Sequence, residues 1–154
     1  MSEFLRGWTT THPGVYHAPR WGECLDEGTI DKLIDLAATT PSQMARLCLH
    51  PSPDCLEHQM LIATSRTVPY PPHCHPGKNE AVLPVLGEAL HVTYSAKGKV
   101  VSENRLGRAS NIYLSTLSGV WHSMNAVTAW FVYWEMAPGP FDPSSTVRAP
   151  WIPN

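Results

Sequence analysis

The chain has 154 residues, 43% hydrophobic and 16% charged, with a formal net charge of −2. That is one domain's length, with enough apolar side chains for a core that needs no disulfides, and it excludes global disorder. The 11 basic and 13 acidic side chains form no basic run, so no nucleic acid or anionic membrane is expected as a partner. No apolar stretch reaches membrane-spanning length. The start of the chain lacks the apolar core and small-residue cleavage site of a signal peptide, so the expected compartment is the cytoplasm. Cys24, Cys48, Cys55 and Cys74 form no CxxC pair or zinc-ribbon spacing, and free thiols are expected.

Fifteen prolines and ten glycines suit short strands joined by turns. Residues 1–25 carry Trp8, His12, Tyr16, His17 and Trp21 without periodicity and predict an irregular arm packed on a surface. From Asp26 to Ala38, Ile30, Leu33, Ile34 and Ala37 fall at helical spacing. Asp26 is the expected N-cap, and Pro41 stops the run. Strands follow over 45–49 and 57–68. The stretches 80–86 and 89–94 predict a hairpin about Gly87-Glu88. Further strands are expected over 100–103, 111–117 and 127–136, with a polar loop at 104–110. The Pro-rich end, from Ala137, predicts irregular chain lying along a surface. Many short strands with intervening turns argue for a β-sandwich or jelly-roll barrel.

Chemistry concentrates in His73-Cys74-His75, with Glu80 five residues on. In extended chain, residues i and i+2 share a side, so His73 and His75 can aim at one point while Cys74 faces away as an inert thiol. The Pro76-Gly77 turn can return Glu80 to that point. Downstream, Gly119-Val120-Trp121-His122 allows a sharp turn that delivers a further imidazole inward. Three imidazoles and one carboxylate suit a first-row transition metal. Lys78 inside the loop is a candidate for holding a substrate carboxylate or phosphate. Arg46 and Gln59, on strands, and His50, before a Pro-rich turn, read by themselves as structural hydrogen-bonding residues, and only a family resemblance makes them candidates for the pocket. Trp121 is placed to shield the metal. His12, His17, His58 and His91 read as surface or strand residues.

At these residues the chain resembles the cupin superfamily. HxHxxxxE with Gly87 follows its first motif, although the leading glycine of that motif is missing. Gly119 and His122 follow its second, with Leu117 in place of the usual proline. Over about residues 40–143 the chain is most similar to the WbuC family of cupin-fold metalloproteins. The residues that carry this likeness are Arg46-Leu47-Cys48-Leu49-His50-Pro51-Ser52, the 73–80 segment, Gly119–His122 and Gly139–Pro143. Cys74 replaces the arginine expected between the two histidines.

The resemblance implies an all-β fold: a cupin-type β-sandwich or jelly-roll barrel with one short N-terminal helix and irregular terminal arms. Residues 1–25 would form the arm, 26–143 a single domain led by the helix, and 144–154 a Pro-rich tail. It also implies a homodimer. The expected cofactor is one divalent transition metal (Fe, Zn, Mn or Ni) held by His73, His75, Glu80 and His122. With iron, the expected chemistry is oxygenase-type, on a small sugar derivative or hydroxy acid. With zinc or manganese, it is Lewis-acid isomerisation, elimination or hydrolysis. A non-catalytic metal- or sugar-binding module is the third option, since the fold alone does not decide function. No residue is assigned a catalytic step.

Overall fold

The computed structural model describes residues 3–152. Three-residue turns of 3-10 helix lie at Glu3–Leu5 and Pro143–Ser145. The strands in chain order are β1 (Thr9–His12), β2 (Val15–His17), β3 (Met44–Cys48), β4 (Glu57–Ser65), β5 (His73–Cys74) and β6 (Glu80–Leu86). They continue with β7 (Glu88–Tyr94), β8 (Val100–Gly107), β9 (Leu114–Thr116), β10 (Trp121–Ala126), β11 (Trp130–Pro138) and β12 (Val147–Arg148). One helix, α1 (Gly28–Thr39), precedes β3. A seven-stranded sheet in the order β1-β2-β3-β4-β11-β6-β9 faces a five-stranded sheet in the order β12-β5-β10-β7-β8. The result is an all-β sandwich of the cupin type.

The larger sheet is covered on both sides, which explains the near-continuous apolar run of β4. Its inner face contributes Cys48, Met60, Ile62, Phe131 and Tyr133, which pack against Ala89, Leu106 and Ala126 of the other sheet. Its outer face contributes Leu47, Leu61, Ala63 and Val132 to a second core beneath α1, around Leu33 and Ala37. Fully burying a side chain such as Leu33 stabilises by about 1.5–3 kcal/mol. The helix lies where its periodicity predicts, but it starts later than expected. Glu27 occupies the N-cap, and Asp26 instead accepts the Thr29 hydroxyl at 2.9 Å. At the other end the Thr40 hydroxyl donates to Ala37 O at 2.8 Å, ahead of Pro41.

Several expectations are corrected. The stretch read as an irregular arm holds β1 and β2, and β2 extends the sheet by pairing parallel to β3. Leu5, His17 and Ala18 are buried there, so burial rather than periodicity orders the segment. The hairpin over 80–94 does not form. Gly87, at φ +75°, turns the chain from one sheet to the other, so β6 pairs with β11 and β9, and β7 with β10 and β8. The polar 104–107 segment continues β8, because its partner β7 supplies the ladder whatever the side chains. The strand expected over 111–117 shrinks to 114–116. His122 lies within a strand, β10, that the sequence reading omitted. The tail is partly regular, since β12 pairs with β5 and Trp151 packs against Trp121 at 5.1 Å. All four cysteines are free. No helix among the described residues is long and apolar enough to cross a membrane.

Candidate metal centre

Strand pairing builds the site. His122 on β10 lies directly opposite His73 on β5, with ring centroids 4.5 Å apart. His75, two residues on, keeps the same side, at 4.9 Å from His73 and 5.6 Å from His122. One ring nitrogen from each of the three lies within 4.8 Å of the others. Glu80 reaches in from β6 on the facing sheet. Its Oε1 is 3.2 Å from His75 Nε2 and its Oε2 is 3.5 Å from His122 Nε2.

The second nitrogens are engaged as well. His73 Nδ1 is 2.9 Å from Pro71 O, His122 Nδ1 is 2.9 Å from Val120 O, and His75 Nδ1 is 3.2 Å from Thr146 Oγ1. The carbonyls of Pro71 and Val120 only accept, so Nδ1 of His73 and of His122 donates, which leaves the Nε2 of a neutral ring with a bare lone pair. Burial pushes His73 down to about 4 and lowers His75, so both are neutral at pH 7, the form that ligates. Burial works against a charge on His122, but the Glu80 carboxylate overrides it and holds the pKa above its ordinary value. The donors, their tautomers and their convergence fit a divalent transition metal.

The four side chains border a cavity of about 180 Å³ that runs inward between the sheets. Lys78, Phe141, Ser145 and Thr146 stand at its edge, and Lys78 Nζ donates to Pro140 O at 3.1 Å. Arg46 lines the cavity. Gln59 does not, because on β4 the inward positions are His58 and Met60, and Gln59 is exposed on the other face. His50 does not line it either. It is fully buried, stacked on His58 with centroids 4.1 Å apart, and its Nδ1 accepts the Gln59 N–H at 3.2 Å. His17, Cys48 and His50 also bring ligating atoms within 4.8 Å of one another. His50 Nδ1 lies 3.2 Å from Gln59 N and 3.3 Å from Gln59 O, and His17 Nδ1 lies 3.1 Å from His50 O, so both rings of this group are tied to backbone. Trp121 packs on Trp151 rather than over the histidines. Cys74 is buried, and burial raises its thiol pKa.

Among the cavity-wall residues given no role from sequence, His91, Tyr70, Tyr133 and Glu135 carry polar groups beside the site. His91 is buried and stacks at 5.6 Å beside His122. Tyr70, Tyr133 and Glu135 line the inner part. The aromatic composition of 127–136 hid Glu135 and Tyr133. The period-two alternation from Phe131 would have put both on the inner face.

Burial and then the charge of Glu80 push the Glu135 carboxyl up to about 7, against the pull of Arg46. A folded pKa above the unfolded one means stability that is full at low pH and lost as pH rises through about 7. The Glu135 contribution to the unfolding free energy of metal-free protein is therefore expected to fall by about 1–3 kcal/mol between pH 5 and 8, against the opposite trend of the buried His50, His73 and His91. Glu135→Gln should gain stability on the parent protein by that amount over this range in urea titrations, and parallel profiles for the two proteins would contradict the assignment.

The sandwich superposes on solved structures of cupin fold. Capsular polysaccharide assembling protein CapF from Staphylococcus aureus matches with a TM-score of 0.58 at 16% identity, over 80% of this chain and 37% of that one. Oxalate oxidase matches with a TM-score of 0.53 at 18% identity, over 73% of this chain and 58% of that one. KdgF from a Halomonas species matches with a TM-score of 0.52 at 14% identity, over 69% of this chain and 87% of that one. The chain thus spans well under half of CapF. At these identities the likeness shows the fold alone. No curated protein matches the sequence. The sequence profile of the family described as Domain of unknown function (DUF6016) matches residues 25–106, which include Arg46, His73, His75 and Glu80 and stop short of His122. That match covers more than half of the chain, which therefore belongs to the DUF6016 family.

Proposed function

We propose that this chain is a metal-dependent enzyme acting on a small polar metabolite, with His73, His75, Glu80 and His122 holding one divalent transition metal. A single observation carries the reading. Each histidine has its Nδ1 occupied, by Pro71 O, Thr146 Oγ1 or Val120 O, while His75 and His122 turn Nε2 to the Glu80 carboxylate. Such a donor set suits Fe, Mn, Ni or Zn and leaves about two positions of an octahedron for other ligands. Bound there, the ion would supply Lewis acidity or, as iron, redox chemistry.

The protein's own residues do the rest. The backbone carbonyls of Pro71 and Val120 fix two rings, and Thr146 fixes the third. The tail from Phe141 to Thr146 narrows the opening and limits water. The cavity of about 180 Å³ suits a small polar molecule such as a sugar derivative or hydroxy acid. The likeness to the WbuC family belongs to this proposal. So does the analogy with oxalate oxidase, a protein of this fold described with the substrate analogue glycolate.

Protein purified without added metal is expected to carry a stoichiometric transition metal. His75→Ala should lower metal affinity by on the order of 100-fold or more, since even outer partners of a ligand are worth roughly 10–100-fold. Equal metal content in the two proteins by elemental analysis would overturn the assignment. If the metal is iron, oxygen uptake with candidate hydroxy acids and sugars separates an enzyme from a binding module.

A further inference from the structure

The inner end of the cavity is built differently from its metal-facing end. On the inner face of the larger sheet, register aligns Cys48, Met60, Glu135 and Val82 in one row and Arg46, Ile62, Tyr133 and Pro84 in the next. Glu80 lies one row before Val82, so Arg46 is two rows deeper than the candidate metal ligands. Rows along a strand are about 7 Å apart. Arg46, Tyr70, Tyr133 and Glu135 all border the cavity.

These polar groups lack partners of the usual kind. Among the described residues the one hydrogen bond of the Arg46 side chain is from Nη2 to Met44 Sδ, at 3.2 Å. Arg46 and Glu135 form no ion pair within 4.0 Å among the described residues. The Glu135 carboxylate and the Tyr70 and Tyr133 hydroxyls make no hydrogen bond there either; Asn125 engages only the Tyr70 backbone. Tyr133 is buried while Arg46, Tyr70 and Glu135 are partly exposed to the cavity, and polar groups gathered without protein partners on one cavity wall are the signature of a ligand subsite.

The donors define what fits. A guanidinium presents a planar fork that matches a carboxylate, and phenol hydroxyls add donors to the same oxygens. Glu135 can accept from a ligand hydroxyl. Arg46, Lys78 and a divalent ion together outweigh Glu80 and Glu135 in charge, which favours an anion over a neutral sugar. The small volume favours a carboxylate over a sugar phosphate.

We infer that Arg46, with Tyr70 and Tyr133, anchors the carboxylate of a small hydroxy acid whose other end reaches the histidine cluster. Arg46 is then the residue that sets specificity for acids over neutral analogues. The metal reading enters in the charge balance that favours an anion and in placing the far end of the ligand.

Cobalt(II)-loaded protein, titrated with lactate, propane-1,2-diol and azide, tests this through the visible cobalt bands. Lactate should perturb the bands and the diol should not, while azide, which needs only the metal, should act on every variant. Arg46→Gln should weaken lactate by roughly 10–100-fold, the worth of a charge-assisted pair. Arg46→Lys, which keeps the charge and guards against a folding defect in the glutamine variant, should fall between. Unchanged lactate affinity in Arg46→Gln, or a diol that binds as well as lactate, overturns the inference. Thermal shift of the metal-free protein separates the two readings. Stabilisation by lactate that is lost in Arg46→Gln supports the anion site even if cobalt is not retained. Cobalt retained without any lactate effect in either assay overturns the anion site while the metal reading stands.

Discussion

Removing metal with a chelator is expected to lower the melting temperature by about 5–10 °C. A ligand at 100 times its dissociation constant stabilises the folded state by about 2.7 kcal/mol, and each kcal/mol moves the midpoint of a domain this size by about 2–4 °C. Glu80→Gln should abolish most of that difference. Its two oxygens lie against both His75 and His122, whereas the amide offers a neutral and weaker donor. The sign with pH follows from His122. Glu80 overrides burial to raise its pKa, so in the metal-free state a proton competes for the site. The chelator-dependent shift should therefore grow as pH rises from 6 to 8 and the proton leaves. An identical melting temperature with and without chelator, or a full shift in Glu80→Gln, would contradict the four-residue site. Differential scanning calorimetry at several pH values measures all of these.

Gly87→Ala is expected to cost about 3–5 kcal/mol, most of the stability of a marginal domain. Gly87 and Gly119 provide a matched pair, both at φ +75°. A methyl at Gly119 meets nothing within 4 Å, so alanine there bears only the left-handed backbone penalty of about 1–2 kcal/mol. A methyl at Gly87 would collide with the backbone carbonyl of Trp130 and with the Thr128 hydroxyl. That hydroxyl is already committed, accepting the Glu88 N–H at 2.9 Å. Neither neighbour can withdraw without loosening the start of β11 or the corner that carries the chain between sheets. Urea titration of the two variants isolates the crowding, and equal destabilisation would show that only backbone strain matters.

The corner at Gly87 also shows where local reading fails. The lengths and boundaries of β6 and β7 were legible from alternation and from glycine between them. Which sheet each joined was not, because a hairpin and a sheet-switching corner share the same local signal. Only the partners β11 and β10, far downstream, distinguish the two. The helix was legible because its apolar stripe has one period and one face. Its start was misjudged because Asp26 makes a cap-like bond to Thr29 without being the cap.

In the site, His73, His75 and Glu80 could be read together because period-two alternation and one short turn connect them. Adding His122 required a motif, since its pairing with His73 is a tertiary contact. Gln59 was misplaced by a single residue of strand phase, which is enough to send a side chain to the other face. His50 is drawn toward the pocket only by the family resemblance, yet it packs with His17 and His58, as its place before a Pro-rich turn suggests for a structural residue.

By itself the sequence determined an all-β sandwich, one amphipathic helix and a cluster of imidazoles with a carboxylate, because periodicity and spacing are local properties of the chain. The tertiary structure alone decided that the tail would pair with β5 and bring Thr146 to His75. It also decided that Arg46, Tyr133 and Glu135 would share one inner face. Those relations depend on register between distant strands, which fixes what each side chain meets and is written in no single stretch.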